Sequence, residues 1–183
     1  DLGSLINPTE VPLVDRMFVA DYEQVTPAFE KAIRSFQAQK DNQRDFLHFT
    51  ANDTLKAVKY LNKTYTLVTT NVPYLGRSKQ SPALYNHCEL YYPYSKSDLA
   101  TVFIERCKDY TSPNGTYALV VPQNWTFLVS YKDLRKQIIQ KQEWNLLARL
   151  GPQAFRTPMY DFNVALIIIS NNKNQLTNQI IGI

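Results

Sequence analysis

The segment from Tyr65 to Tyr74 reads YTLVTTNVPY and sets the organisation of the chain. Its first part is rich in aromatic, aliphatic and β-branched side chains, which predicts a strand over residues 65–70. Asn71 follows directly, and Pro73 and Tyr74 complete a turn. An Asn side-chain oxygen and a turn carbonyl can each accept a hydrogen bond, and a Tyr ring can stack on a flat ring. The segment therefore predicts a site for a planar group that carries an amino substituent.

The bulk composition is that of one globular domain of ordinary size. The chain has 183 residues, of which 44% are hydrophobic and 20% charged. No apolar run is long enough to span a bilayer, and the first residues lack the basic and apolar regions of a signal peptide. Cys88 and Cys107 form neither a disulfide framework nor a zinc pattern, so we expect a cytoplasmic protein. The net charge of +4 permits a polyanionic partner without requiring one.

Helical and strand patterns alternate along the chain. Helices are predicted at about 27–39, 52–61, 97–110 and 130–142, and strands at about 65–70, 116–121, 144–150 and 163–170. Ser97 is the expected cap of the third helix, and residues 76–94 are predicted to form a long loop. This alternation indicates an α/β protein with a parallel or mixed sheet. Ligands bind such sheets at the carboxyl ends of strands, where Asn71 and the segment 122–125 are both expected.

Other signals for chemistry are scarce. The glycines form no phosphate-binding loop, His48 and His87 have no metal-ligating partners at useful spacing, and no Ser or Cys lies in a nucleophile elbow. We therefore predict no metal site. The Asn71 turn remains, and taken alone it has two interpretations: a binding turn for a planar amine, or a strand-to-loop turn with Tyr74 packed on the core.

Residues 70–76, TNVPYLG, resemble the signature of the gamma-type adenine-N6 DNA methyltransferases. The resemblance continues in order over roughly residues 45–172. Its further matching segments are 98–106, 115–121, 122–128, 130–135, 150–151, 154–155 and 164–169. Within this group the chain resembles the large BREX-type and restriction-linked enzymes. The resemblance implies a partial Rossmann-like, S-adenosylmethionine-dependent methyltransferase fold, with a mostly parallel sheet flanked by helices.

The resemblance also implies a mechanism. A target adenine would be flipped out of double-stranded DNA into a pocket formed by the catalytic turn Asn71-Val72-Pro73-Tyr74. The Asn71 side-chain oxygen and the Val72 carbonyl would accept hydrogen bonds from the adenine amino group, beside the methyl group of S-adenosylmethionine. Tyr74 would stack on one face of the base and Phe155 on the other. Methyl transfer would then be direct, and much of its acceleration would come from positioning.

Two departures from the family pattern bear on domain organisation. Val72 occupies a position where the family usually has Pro, which keeps the carbonyl but loses the fixed φ. The Gly-containing turn of the cofactor site is expected before the Asn motif, and residues 1–70 do not supply it. We interpret residues 1–22 as a lead-in and residues 23–183 as the C-terminal half of a catalytic domain, without its cofactor-fingerprint and target-recognition regions. Such a piece would be inactive alone and could self-associate through an exposed sheet edge.

The expected partners are double-stranded DNA and subunits of a restriction or phage-defence system, with no membrane. Arg77 and Lys79, close to the motif, are candidate phosphate contacts. Trp125 could line the DNA-facing rim or fill the core. Two other functions stay open. One is a catalytically degenerate DNA-binding or assembly module, and the other is a protein-glutamine N-methyltransferase, because such enzymes use a similar Asn-Pro-Pro-Tyr turn.

Overall fold

The computed structural model describes residues 2–8, 27, 31, 53, 54, 56–151, 163–172 and 181–182. The chain divides into two compact units, Gly3–Lys63 and a second unit of Thr64–Ile183 with the first two residues. The division into a lead-in over residues 1–22 and half of a catalytic domain over residues 23–183 stays a prediction. Residues 53, 54 and 56–61 are helical, in agreement with the second predicted helix. The first predicted helix lies outside the described residues except at positions 27 and 31, which are helical.

A five-stranded sheet forms the centre of the second unit. Its strands are β1 (Tyr65–Asn71), β2 (Thr111–Pro122), β3 (Glu143–Gly151), β4 (Val164–Ser170) and β5 (Ile181–Gly182), in the order β1-β2-β4-β3-β5. β1 pairs parallel with β2, and β3 with β5, whereas β4 runs antiparallel to both β2 and β3. The predicted α/β class is confirmed, and the sheet is mixed.

β4 lies between β2 and β3 and is strongly apolar. Its residues Val164, Ala165, Ile167 and Ile169 are buried. On β2, alternate residues over 117–121 are buried as well. A strand that is covered on both faces favours an unbroken apolar run over strict alternation. The apolar run of β4 could therefore be recognised in the sequence.

The described residues of the second unit form three helices: α1 (Pro82–Tyr91), α2 (Leu99–Tyr110) and α3 (Lys132–Lys141). α2 and α3 confirm two predicted helices. The prediction of a long loop over residues 76–94 is wrong, because α1 occupies its centre. Ser81 caps α1, since its hydroxyl oxygen accepts a hydrogen bond from the Leu84 amide at 3.4 Å, and Pro82 takes the first helical position.

The helices contribute apolar side chains to the core. Ile104 of α2 and Leu134 of α3 belong to one buried cluster with Leu119 of β2. Cys88 of α1 and Cys107 of α2 are free thiols, and both are buried. Burial raises the pKa of the Cys88 thiol, and it raises the pKa of the Cys107 thiol to about 12.

An irregularity near the start of β2 requires a glycine. Tyr65 of β1 pairs with Thr111 of β2, but Leu67, two residues later, pairs with Thr116. Residues 112–115 are therefore an extra segment of β2. A Cβ atom on Gly115 would lie 2.9 Å from the Thr66 carbonyl oxygen and 2.9 Å from the Thr111 side chain. A backbone oxygen of a paired strand cannot move aside by changing rotamer, so a larger residue would strain the pairing.

We expect Gly115→Ala to lower the free energy of unfolding by about 1–3 kcal/mol, because the new methyl group must displace the β1 backbone. Gly76→Ala is the matched control, since its Cβ would meet only an Asp98 carboxylate oxygen at 3.9 Å, an ordinary contact. Urea unfolding of both variants measures the difference. Equal midpoints for the two variants would contradict the steric account.

Candidate active site

Parallel pairing brings the ends of β1 and β2 to the same edge of the sheet. Asn71, the last residue of β1, lies level with Val120. β2 ends at Pro122, and its next residues form a short 3-10 helix, Gln123–Thr126. The turn after β1 and the turn after β2 therefore leave the sheet at the same edge, as the sequence predicted.

The motif turn combines an exposed amide with a partly buried ring. Asn71 is exposed, whereas Tyr74 packs against the core cluster. The Tyr74 hydroxyl lies 3.4 Å from Asn71 Oδ1 and 3.4 Å from the Val120 carbonyl oxygen. Burial, and secondarily the charge of Asp98, raises the pKa of Tyr74. The hydroxyl therefore stays protonated and donates weakly toward the Asn71 oxygen, which orients the amide.

Val72 anchors the turn through its side chain. Only 4% of its surface is exposed, and it belongs to the core cluster that includes Ile104 and Trp125. A proline at this position would restrain the backbone through its ring. In this chain, packing of the Val72 side chain restrains the same stretch of backbone.

Asp98 joins the motif turn to α2. Its Oδ1 accepts hydrogen bonds from the Ala100 amide at 2.8 Å, which caps the helix, and from the Leu75 amide at 3.3 Å. The Leu99 amide donates to the Leu75 carbonyl at 2.9 Å, and the Arg77 amide donates to the Ser97 carbonyl at 3.0 Å. The expected cap, Ser97, is therefore wrong by one residue. Asp98 is a positioning residue that sequence analysis missed, although an Asp directly before an apolar stripe was an available cap signal.

Arg77 and Lys79, the two candidate phosphate contacts, differ in environment. The Arg77 guanidinium forms an ion pair with Glu89 and lies 3.6 Å from the centre of the Tyr85 ring. Its side chain is 22% exposed. Lys79 is exposed and forms no ion pair with the described residues. Of the two, Lys79 has the charge more available to a phosphate, and Arg77 holds together the segment after the motif.

Trp125 belongs to the core and not to a DNA-facing rim. Its side chain is fully buried, and its ring lies 5.6 Å from the ring of Trp144. A fully buried side chain cannot contact DNA, so the prediction of Trp125 as a DNA contact is wrong and its core position is confirmed. Arg135, which the sequence predicted to lie on the solvated face of its helix, instead fixes this turn: its Nη1 donates to the carbonyl oxygens of Trp125 at 2.6 Å and Leu128 at 2.7 Å.

Phe155, the second residue predicted to stack on the base, is outside the described residues. Its stacking role therefore stays a prediction. Among the residues that the structure describes, no group of three His, Cys, Asp or Glu side chains could hold a metal ion. No helix among them is long and apolar enough to cross a bilayer.

The fold is similar to the folds of solved structures. It is similar to a structure described as a class I S-adenosylmethionine-dependent methyltransferase from Listeria monocytogenes, with a TM-score of 0.51 and 15% identity over 66% of this chain and 37% of that one. It is also similar to the type IIL restriction-modification enzyme MmeI in complex with DNA, with a TM-score of 0.52 and 18% identity over 70% of this chain and 18% of that one. At these identities the likeness establishes the fold alone.

Residues 7–155 match the family described as Eco57I restriction-modification methylase, and the chain belongs to this family. It is 39% identical over 103 residues to the adenine-specific methyltransferase PglX of Lacticaseibacillus casei strain Zhang, covering 55% of this chain and 8% of that protein. It is 29% identical over 154 residues to the adenine-specific methyltransferase BrxX of Escherichia coli O9:H4 strain HS, covering 84% of this chain and 12% of that protein. The family predicted from the motif is thereby confirmed.

We expect Asp98→Ala to accelerate hydrogen exchange at the Leu75 amide by about tenfold or more, because that amide loses a carboxylate acceptor. Asp98→Asn keeps an oxygen acceptor and should retain most of the protection. Ser81→Ala is the matched control, because it removes a cap from α1 without touching the motif turn. Unchanged exchange at Leu75 in Asp98→Ala would show that the carboxylate does not hold the turn.

Proposed function

We propose that the chain is part of a DNA adenine-N6 methyltransferase and supplies the base-binding half of its catalytic domain. The observation that carries the proposal is the exposed Asn71 amide at the carboxyl end of β1, in a chain of this methylase family. The names of PglX and BrxX describe adenine-specific methyltransferases, and this chain corresponds to about a tenth of their length. The activity, substrate and partners of the whole protein are therefore proposals.

Residues 71–74 would bind the adenine amino group and orient it. The amino group donates to Asn71 Oδ1 and to the Val72 carbonyl oxygen, and these two bonds turn the nitrogen lone pair toward the donor. Asn71 Oδ1 has two lone pairs, so the weak bond from the Tyr74 hydroxyl does not prevent binding of the base. Tyr74 would stack on one face of the base, with Phe155 proposed for the other.

S-adenosylmethionine would supply the electrophilic methyl group, and Asn71 is the described residue proposed to lie beside it. Because Tyr74 has a raised pKa, it stays protonated and does not act as the base. The chemistry does not require proton removal before attack, so positioning supplies much of the acceleration.

The proposed partners are double-stranded DNA and subunits of a restriction or phage-defence system, in the cytoplasm. In the described residues, β1 pairs with β2 only, and its Leu67 is 60% exposed. This edge supports the interpretation of residues 23–183 as half of a catalytic domain, to which further strands are added. In a separate fragment the same edge would favour self-association.

We expect Asn71→Ala to abolish N6-methyladenine formation while leaving stability nearly unchanged, because the side chain is exposed. The assay is mass spectrometry of nucleosides from DNA treated with the protein expressed over its full natural length. Thr69→Ala, an exposed residue two positions earlier on the same strand, is the control and should retain activity.

The wild-type protein decides between the proposed function and its alternatives. Binding of DNA and S-adenosylmethionine without N6-methyladenine at any site would favour the degenerate DNA-binding or assembly module, for which Val72 in place of Pro is the supporting observation. Methylation of a release-factor-like protein but not of DNA would instead favour the protein-glutamine enzyme.

Lys79→Gln should weaken DNA binding by a similar factor at every sequence and reduce the slope of log affinity against log salt by about 1, because one phosphate contact is lost. Lys136→Gln, which removes an exposed charge from α3, should leave the slope unchanged. Fluorescence anisotropy at several salt concentrations measures both. If the two variants behave alike, Lys79 makes no specific phosphate contact.

A further inference from the structure

Three consecutive apolar side chains are exposed in the turn that follows β2. Phe127, Leu128 and Val129 have exposed fractions of 59%, 41% and 84%. Among the described residues, no other run of three large apolar side chains is exposed. A single exposed apolar residue needs no explanation, whereas such a run indicates a contact surface. Residues 127–129 are called the apolar tip below.

Hydrogen bonds and buried neighbours hold the apolar tip in place. The Arg135 guanidinium donates to the carbonyl oxygens of Trp125 and Leu128. The Leu128 amide donates to the Asn124 carbonyl oxygen at 2.9 Å. Trp125 and Tyr131, on either side of the tip, are both buried. Because the turn is fixed in this way, a partner that binds the tip does not have to order it first.

The apolar tip lies at the same edge of the sheet as the motif turn. β2 ends at Pro122, two residues beyond Val120, which is level with Asn71. At about 3.3 Å per residue, Pro122 is roughly 7 Å past that level. Trp125, two residues before the tip, belongs to one buried cluster with Val72 of the motif turn. The tip is therefore a neighbour of the proposed adenine site and not a part of it.

The size and surroundings of the apolar tip favour insertion over a flat protein interface. Three side chains expose on the order of a few hundred Å², whereas a stable protein interface buries about 800 Å² on each partner. Thr126 and Ser130, which flank the tip, are polar, so the apolar surface does not continue along the chain. Residues 123–131 include no charged side chain, and the next two, Lys132 and Asp133, are exposed and of opposite charge. No carboxylate within the turn opposes the approach of phosphates.

We propose that the apolar tip inserts into double-stranded DNA beside the target adenine and occupies the space that the flipped base leaves. This inference rests on the proposed function, because it takes DNA as the substrate. Phe and Leu are among the side chains that proteins insert as wedges between base steps, and their contacts offset the cost of unstacking. The Asn71 turn then holds the flipped base, while the tip prevents its return to the stack.

The test compares a fully paired DNA duplex with the same duplex carrying one abasic site. The protein is expressed over its full natural length, and fluorescence anisotropy measures both affinities without S-adenosylmethionine. An abasic site offers a space in the stack but no base for the Asn71 turn, so an inserted side chain gains from it and the base site does not. The wild-type protein should bind the abasic duplex about tenfold more tightly, because the wedge enters without unpairing a base.

Substitutions at exposed positions assign this preference to the apolar tip without disturbing the core. Phe127→Ser should reduce the preference to about twofold and Val129→Ser to about fivefold, because each removes part of the wedge. Phe127→Leu should keep most of the preference, because Leu is also an effective wedge. Ile139→Ser is the matched control, since Ile139 is a 50% exposed residue of α3 outside the tip, and it should keep the tenfold preference.

Three results would overturn the proposal. The first is equal affinity of the wild-type protein for the two duplexes. The second is an undiminished preference in both Phe127→Ser and Val129→Ser; if these variants lost a protein subunit instead, the tip would be a protein-docking surface. The third is an equal loss of preference in Ile139→Ser. Failure of the proposed function is a separate result, the absence of N6-methyladenine from treated DNA, because the abasic assay requires no methyl transfer.

Discussion

Parallel hydrogen bonding between β1 and β2 holds Asn71 level with Val120, and the geometry of the site follows from this register. The side-chain repeat in a strand is two residues, so a shift by one would turn Asn71 to the other face and detach the Tyr74 hydroxyl from the Val120 carbonyl. The pairing of β1 with β2 is irregular at its start, and it becomes regular after the extra segment of β2, from Thr116 onward. Asp98 then ties the turn beyond β1 to the start of α2, so strand pairing and helix capping position the same few atoms.

Much of the fold could be predicted from local pattern. The apolar run of β4 and the stripe of α2 are each recognisable from a stretch of sequence, and the matching strands and helices form. α1 was missed because its aromatic and polar residues give little amphipathic contrast, although Ser81 and Pro82 form a recognisable start. The antiparallel direction of β4 was not predicted because strand direction depends on which neighbours a strand finds, and local sequence carries little of that information.

The candidate site divides in a similar way. The Asn71 turn was found from its residues, because a polar residue after a strand is a local signal. Trp125 could not be assigned from sequence, since a Trp after a strand suits a binding rim as well as a core. The bond from Leu75 to Asp98 spans 23 residues, and no local pattern reveals it. The Arg135 contacts with two carbonyl oxygens are hidden for the same reason, because a basic residue on a helix ordinarily indicates a solvated face.

The two buried cysteines have a practical consequence. Thiol reagents attack the thiolate, and both Cys88 and Cys107 combine burial with a raised pKa, so the closed structure should react slowly at either position. Modification then requires local opening, and the two cysteines lie on different helices, Cys88 on α1 and Cys107 on α2. Labelling rates at the two positions would therefore report the opening of α1 and of α2 separately, without introducing a probe by mutation.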